Sequence, residues 1–133
     1  MKPEETTTSA EVSADSLLSA VKAFLVESAA PHLEGRDRFN ARVAANVLGI
    51  VQREQALGPT LQALDQEAAQ KWLPAAASDV PIAQQVSRAL AHREITPDST
   101  FFDYLKARQL LVSAINNPKY ASRAVAEARW QPR

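Results

Sequence analysis

The sequence predicts an all-helical protein, an antiparallel bundle of about five helices, and three observations carry this prediction. The chain has only three glycines among 133 residues, and its abundant alanine and few β-branched residues favour helix. Apolar residues recur with the 3.6-residue period of a helix, whereas no segment alternates with the period of a strand. Short connections marked by proline, glycine and capping residues separate the periodic segments, which is typical of antiparallel neighbours in a bundle.

One helical domain is predicted over residues 13–120, because the chain is long enough for one core and too short for two. Residues 1–12 are polar and contain the run Thr6-Thr7-Thr8-Ser9, so we expect a disordered leader there. Residues 121–133 are expected to form a short helix or to fray, and Trp130 is the one side chain that suggests docking of this tail.

The first helix is predicted to begin at a cap on Ser13 or Asp15 and to run to about Ala30. Its apolar stripe is expected to face the core and consists of Leu17, Val21, Phe24 and Leu25. The opposite side consists of Asp15, Ser19, Lys22 and Val26. Pro31 is expected to end the helix, and His32 to Gly35 to form a turn.

The second helix, about 36–57, is expected at the centre of the bundle because it is apolar on most sides. Its predicted core stripe consists of Phe39, Val43, Val47, Ile50 and Leu57. Asn46 lies near the centre of this stripe, and a buried amide is costly unless it is hydrogen-bonded. We therefore expect Asn46 to lie inside the protein and the flanking Arg42 and Arg53 to face outward, with Gly49 leaving a bare patch between them.

Gly58-Pro59 is predicted to stop the second helix and to start a third, because glycine suits a left-handed cap and proline suits a first turn. The third helix, about Thr60 to Leu73, has the stripe Leu61, Leu64, Ala68 and Trp72.

The fourth helix is predicted to be capped by Asp79, to pass through Pro81 and to end near Arg93, with an inward face of Ile82, Val86 and Leu90. The fifth is capped by Asp98 or Ser99 and runs to Asn116, with an inward face of Phe101, Leu105, Val112 and Ile115. Asn117-Pro118 closes it.

Composition excludes several classes of function. The formal net charge is zero, so no overall field attracts nucleic acid or an anionic membrane, and no apolar run approaches membrane-spanning length. The chain has no cysteine and only two histidines, His32 and His92, neither with an acidic residue at helical pairing distance. It also lacks a glycine-rich phosphate loop and paired carboxylates at active-site spacing. We therefore expect no metal, no cofactor and no catalytic site, and a cytoplasmic location.

The edge of the second helix formed by Arg42, Asn46, Gly49 and Arg53 has two interpretations. In the structural one, Asn46 hydrogen-bonds neighbouring backbone and the arginines form salt bridges, Arg42 with Asp37 or near Glu54. In the functional one, the edge is a docking ridge, since glycine permits close approach and arginine binds carboxylate or phosphate in charge-assisted pairs.

Two further features also have structural and functional readings. Arg108 shares a stripe with apolar residues, so we expect it to snorkel or to pair with a carboxylate at the core edge such as Glu54. The segment Asn117-Pro118-Lys119-Tyr120 is either a helix stop with the tyrosine packed back on the bundle or a recognition turn.

The central segment resembles a bacterial family of short, all-helical proteins that long carried an uncharacterised-domain label. The resemblance rests on the pattern Gly35-Arg36-x-x-Phe39-x-x-Arg42-Val43-Ala44-x-Asn46-x-Leu48-x-Ile50-Val51-x-Arg53-Glu54, followed by Gly58-Pro59. It extends upstream to Leu18-x-x-Val21-x-x-Phe24-Leu25 and downstream to Ile115-Asn116-Asn117-Pro118-Lys119-Tyr120. Such proteins tend to be encoded beside a kinase resembling aminoglycoside phosphotransferases and an acyl-CoA dehydrogenase.

This resemblance implies a non-catalytic accessory role, that of the small subunit of a hydroxyacyl-CoA kinase of the type used in levulinate-like 4-hydroxyacid catabolism. The kinase-like protein would be its partner, with the acyl-CoA dehydrogenase as a second candidate. The positions carried over for binding a partner or ligand are Arg36, Arg42, Asn46, Arg53, Glu54, Asn117 and Tyr120. Two alternatives stay open: a small-molecule protein whose arginines bind an acyl-CoA phosphate or a carboxylate, and a self-associating homo-oligomeric bundle without a ligand.

Overall fold

The computed structural model describes residues 12–130, so the predicted leader, apart from Val12, lies outside the described residues. Within this range the regular structure is helical throughout, with five α-helices and no strand, which confirms the all-helical class. The described part of the chain divides into two compact units, with the boundary between Gln52 and Arg53.

The first helix, α1, is Ala14–Ala23, and Ser13 caps it: the Ser13 hydroxyl accepts the N–H of Ser16 at 3.1 Å. The chain then continues into a π-helical segment, Phe24–Ala29, and a 3₁₀ turn, Ala30–His32. The N–H of Ala30 bonds the carbonyl of Leu25, five residues earlier, which is the π-helical pattern. The predicted helix to Ala30 is therefore only regular up to Ala23.

Helix α2 is Gly35–Trp72, a single helix of 38 residues. Its first residue, Gly35, has a φ of +54°, a left-handed conformation that glycine adopts without strain. The predicted stop and restart at Gly58-Pro59 is wrong. Pro59 leaves the carbonyl of Gln55 without its helical donor, and an interior proline costs about 3 kcal/mol. The helix continues because side chains on both sides of the proline, from Arg53 to Trp72, contact the same neighbouring helix.

Within the first unit, α1 and the first half of α2 form an antiparallel pair, which we call the hairpin (residues 14–52). At one end Gln52 contacts the start of α1, with its amide nitrogen 3.1 Å from a carboxylate oxygen of Asp15. Its amide oxygen accepts from Lys22 Nζ, also at 3.1 Å. At the other end Arg38 Nε donates to the carbonyl oxygen of Leu33 at 2.7 Å.

The second unit contains the second half of α2 with α3 (Ile82–Ala91), α4 (Ser99–Asn116) and α5 (Ala121–Arg129). Helix α4 runs antiparallel to α2, because Trp72 packs edge-to-face on Phe101 with ring centroids 5.2 Å apart while Arg53 reaches Ile115. The core consists of Ala68, Val86, Ala89, Ile95, Phe101 and Tyr104, with Leu64, Trp72, Leu73, Ile82 and Leu105 packed against it. Most of the stripe residues predicted for this half of the chain therefore belong to its core.

Two predicted caps have different outcomes. The Asp98 carboxylate accepts the N–H of Phe101 at 2.9 Å, which confirms it as the cap of α4. Asp79 does not cap α3, which begins at Ile82 without a side-chain cap. The loop before α3 is held by the side chain of Gln85 instead. Its amide oxygen accepts the N–H of Ala77, and its amide nitrogen donates to the carbonyl oxygen of Ala77. Leu90, predicted to face inward, is exposed.

Candidate interaction surface

The apolar stripe of α1 faces away from α2, contrary to the prediction. Helix α1 contacts α2 through its polar side, where Gln52 donates to Ser19 Oγ at 2.8 Å and to the Asp15 carboxylate. Three large apolar side chains are exposed to roughly half or more of their area: Leu17, Val21 and Phe24. Leu25, the fourth member of the predicted stripe, is half-buried.

Within the hairpin, three residues of the predicted core stripe of α2 are also exposed. Phe39 is 65% exposed, Val43 41% and Val47 50%. Ala41, Ala45 and Gly49 are buried instead, and Asn46 is exposed, so the expectation that Asn46 lies inside and that Gly49 leaves a bare outer patch is wrong. Ala41 and Ala45 share a helical face with Gln52, which contacts α1, so the small residues lie on the side of α2 that faces α1.

These two sets of side chains are called the outer stripes: Leu17, Val21 and Phe24 on α1, and Phe39, Val43 and Val47 on α2. Within residues 12–52, the buried apolar residues are the alanines Ala30, Ala41 and Ala45, with Leu18, Leu25 and Leu48 half-buried. Among the apolar residues of the hairpin, only small ones are fully buried, while the outer stripes are exposed and other large side chains, including Ile50 and Val51, are half-buried. The core of a soluble domain is usually built from large apolar side chains. Exposed apolar area concentrated in this way marks an interaction surface.

Arginine and asparagine border the outer stripe of α2. Arg36, Arg42 and Asn46 are all exposed, and their spacing from Phe39 and Val43 places them at the end and along one edge of the stripe. Neither arginine forms an ion pair with a residue in the described range, so the pairing expected between Arg42 and Asp37 or a neighbour of Glu54 is absent there. The sequence has no acidic residue between Arg38 and Arg53, and this edge is therefore basic.

The other four candidate residues lie in the second unit. Arg53 is half-buried, and its Nε donates to the Ile115 carbonyl at 2.8 Å, in the last turn of α4. A cation at a helix C-terminus satisfies a free carbonyl and the helix dipole, so Arg53 has a structural role. Asn117 is the C-cap of α4. Tyr120 is 58% exposed and Glu54 is also exposed.

Arg108 pairs with Asp65, not with Glu54. Its Nε lies 3.0 Å from Asp65 Oδ1, and Tyr104 donates its hydroxyl to the same oxygen at 2.7 Å. Burial, followed by the hydrogen bond to Asp65 and the charge of that carboxylate, raises the pKa of Tyr104 well above its ordinary value of 10.0. This cluster contacts the core of the second unit and serves to align α2 with α4.

An open cavity of about 840 Å³ lies in the second unit. Its described lining combines apolar side chains such as Leu61 and Val112 with the carboxylates of Glu54, Asp65 and Asp79, and contains no lysine, arginine or histidine. A cavity of this charge is suited to a neutral or cationic group and not to a phosphate.

The described residues contain neither a group of metal ligands nor a helix that could span a membrane. No grouping of three or more histidine or acidic side chains in residues 12–130 could hold a metal ion. None of the helices in that range is both long and apolar enough to cross a membrane.

The sequence did not identify Gln52 and Asp65 as important. Gln52 connects α2 with α1 in the first unit, and Asp65 connects α2 with α4 in the second. Gln52 looked like one of several polar positions on a long helix, and nothing in its neighbourhood distinguished it. A signal for Asp65 did exist, because Arg108 required a carboxylate and Asp65 shares the inward side of α2 with Leu61, Leu64 and Ala68.

The fold and this surface define a small all-helical protein with an exposed, apolar helical hairpin bordered by arginine. The chain belongs to a family described as a domain of unknown function, DUF6285, which matches residues 31–120. This range contains α2 through α4 and all seven carried-over positions, whereas α1 lies outside it. No curated protein and no solved structure matches the chain significantly.

Proposed function

We propose that this protein is a non-catalytic accessory subunit that binds and supports a phosphotransferase-like kinase acting on hydroxyacyl-CoA in short-chain hydroxyacid catabolism. The observation that carries the proposal is the hairpin, whose large apolar side chains point outward from an interior of small residues. A helix pair of this kind gains little hydrophobic stabilisation by itself and gains more when another protein covers it. The kinase as partner and its acyl-CoA chemistry rest on the family resemblance.

The exposed area is adequate for a protein partner. From the exposed fractions, the two outer stripes together present roughly 600 Å² of side chain, at the upper end of the apolar patches found on monomers. A standard interface buries about 800 Å² on each partner, so the stripes with their polar borders are sufficient for a stable contact.

Co-expression with a kinase that resembles aminoglycoside phosphotransferases, the partner that the family resemblance implies, tests the proposal. We expect the two proteins to co-purify, and the kinase to phosphorylate a 4-hydroxyacyl-CoA faster with this chain than without it. The controls are the kinase alone and the kinase expressed with an unrelated helical protein of similar size. Failure to co-purify, together with unchanged kinase activity, contradicts the proposal.

A small-molecule binding role is the second candidate, because the second unit contains the 840 Å³ cavity. Its chemistry argues against the acyl-CoA version of this role. The lining carries carboxylates, and the arginines thought to hold a phosphate, Arg42 and Arg53, are not part of it. Calorimetric titration of the isolated protein with a CoA ester separates the candidates: heat that Arg42→Ala and Arg53→Ala abolish supports the binding role, and a flat titration supports the accessory role.

A further inference from the structure

We infer that the outer stripe of α2, with Arg36 and Arg42 beside it, is the surface that docks the partner, and that the partner presents an apolar ridge bordered by carboxylates. The inference rests on the proposed function, since it names the surface through which the accessory subunit would bind. Phe39, Val43 and Val47 provide the apolar part, and all three are exposed at successive turns of one helix.

The positive charge beside the outer stripe of α2 indicates which kind of partner surface it binds. Arg42 is exposed, has no ion pair within the described residues, and lies in a stretch of α2, residues 39–52, that has no acidic residue. Such an arginine forms charge-assisted pairs with carboxylates brought by another protein. Arg36 lies in the first turn of α2, where the helix dipole disfavours a cation and Asp37 supplies the opposite charge. Arg36 is exposed and forms no ion pair within the described residues, so its guanidinium is available to a carboxylate of the partner.

A second copy of this chain fits poorly when the outer stripe of α2 packs on the same stripe of the other copy. In a twofold contact through the outer stripe of α2, with the axis near Val43, the two Arg42 side chains would meet without a carboxylate between Arg38 and Arg53 to separate them. The reciprocal contact, with α1 of each copy on α2 of the other, closes with two subunits, and the light-scattering measurement below tests for it. The polar leader does not provide the apolar cover either, since residues 1–11 contain no large apolar side chain after Met1.

The test is a direct titration of the purified kinase-like protein with variants of the full chain. Val43→Asp places a charge in the apolar stripe and Arg42→Glu reverses its border, and each is expected to weaken binding by about tenfold or more. Matched controls come from α5, where Val125 and Arg129 are similarly exposed. Val125→Asp and Arg129→Glu are expected to change the Kd by no more than about twofold. Circular dichroism verifies that every variant is folded.

Salt dependence tests the carboxylate part of the inference. The wild-type Kd is expected to rise between about 20 mM and about 300 mM salt, and the rise should be smaller for Arg42→Glu. An equal salt dependence in both proteins contradicts an acidic partner surface.

The possible results distinguish a failure of the proposed function from a failure of the inferred docking surface. A wild-type chain that does not bind the kinase-like protein overturns the proposed function and this inference together. Binding that Val43→Asp and Arg42→Glu leave unchanged overturns the inference alone, and loss of binding in Val21→Asp would then assign docking to α1. Light scattering tests whether the chain associates with itself. If the wild-type chain is a dimer and Val43→Asp converts it to a monomer, a second copy occupies the outer stripe of α2, and the inference is overturned.

Discussion

The inverted hairpin can be tested by placing the same residue on both faces of α2. Ala45 is 4% exposed and lies where α2 approaches α1, whereas Val47, two positions further, is half exposed. Leucine at position 45 adds three carbons to a site without free space, and overpacking of this kind costs about 1–3 kcal/mol. Leucine at position 47 projects outward, where substitutions change stability by no more than about 0.5 kcal/mol. Ala45→Leu and Val47→Leu are therefore a matched pair.

The assay must report on the hairpin separately from the rest of the chain. Both tryptophans and both tyrosines lie at or beyond position 72, in the second unit, so their fluorescence serves as an internal control. Hydrogen exchange of peptides from residues 14–52 measures the hairpin itself. We expect faster exchange there in Ala45→Leu and wild-type exchange in Val47→Leu. The reverse order, or equal effects, would refute the assignment of Ala41, Ala45 and Gly49 to the interior.

Three further predictions concern the second unit. Pro59→Ala restores a donor for the Gln55 carbonyl within a continuous helix, so the free energy of unfolding in urea should rise by about 1–3 kcal/mol; no change would indicate a broken helix. Phe101→Ala should lower the same quantity by about 3–5 kcal/mol because this ring is fully buried, whereas Phe102→Ala, at a half-exposed ring, should lower it by less than about 1 kcal/mol. The raised pKa of Tyr104 means that the folded state holds this proton more tightly than the unfolded state. Its stabilisation is therefore complete below about pH 10 and is lost as the pH rises further. Tyr104→Phe should weaken that alkaline loss of stability, and an unchanged pH profile would contradict the burial of the hydroxyl.

The second unit was largely predictable from the pattern of apolar residues. Phe101, Val86 and Ala68 were expected on inward faces and are buried, because the helices of this unit each have one clearly apolar side and a polar one. The cap at Asp98 was predictable for a local reason, since a carboxylate before a helix accepts N–H groups wherever the helix then packs. Asp79 had the same local signal but caps no helix, because Gln85 hydrogen-bonds the backbone of the loop that contains Asp79.

The candidate site was predictable only in part. The sequence identified Arg42, Asn46 and Arg53 as residues of one edge of the second helix and predicted that Asn46 lies inside, whereas the structure exposes both Arg42 and Asn46. The sequence did not separate these two from Arg53, which lies on the same edge by spacing but is held by the Ile115 carbonyl. That contact joins positions 62 residues apart, and no local pattern encodes it.

The sequence by itself determined that the chain is helical, where most helices begin and end, and which residues share each helical face. These properties depend on backbone propensity, caps and a 3.6-residue period, all of which act within a few residues. The tertiary structure decided that α2 passes through Pro59, because packing on both sides of a proline can offset one missing hydrogen bond. It also decided which face of the hairpin is covered. Either the face with alanine and glycine or the face with large apolar residues could have been buried on this part of α2. Helix α1 covers the face with alanine and glycine, so Phe39, Val43 and Val47 stay exposed.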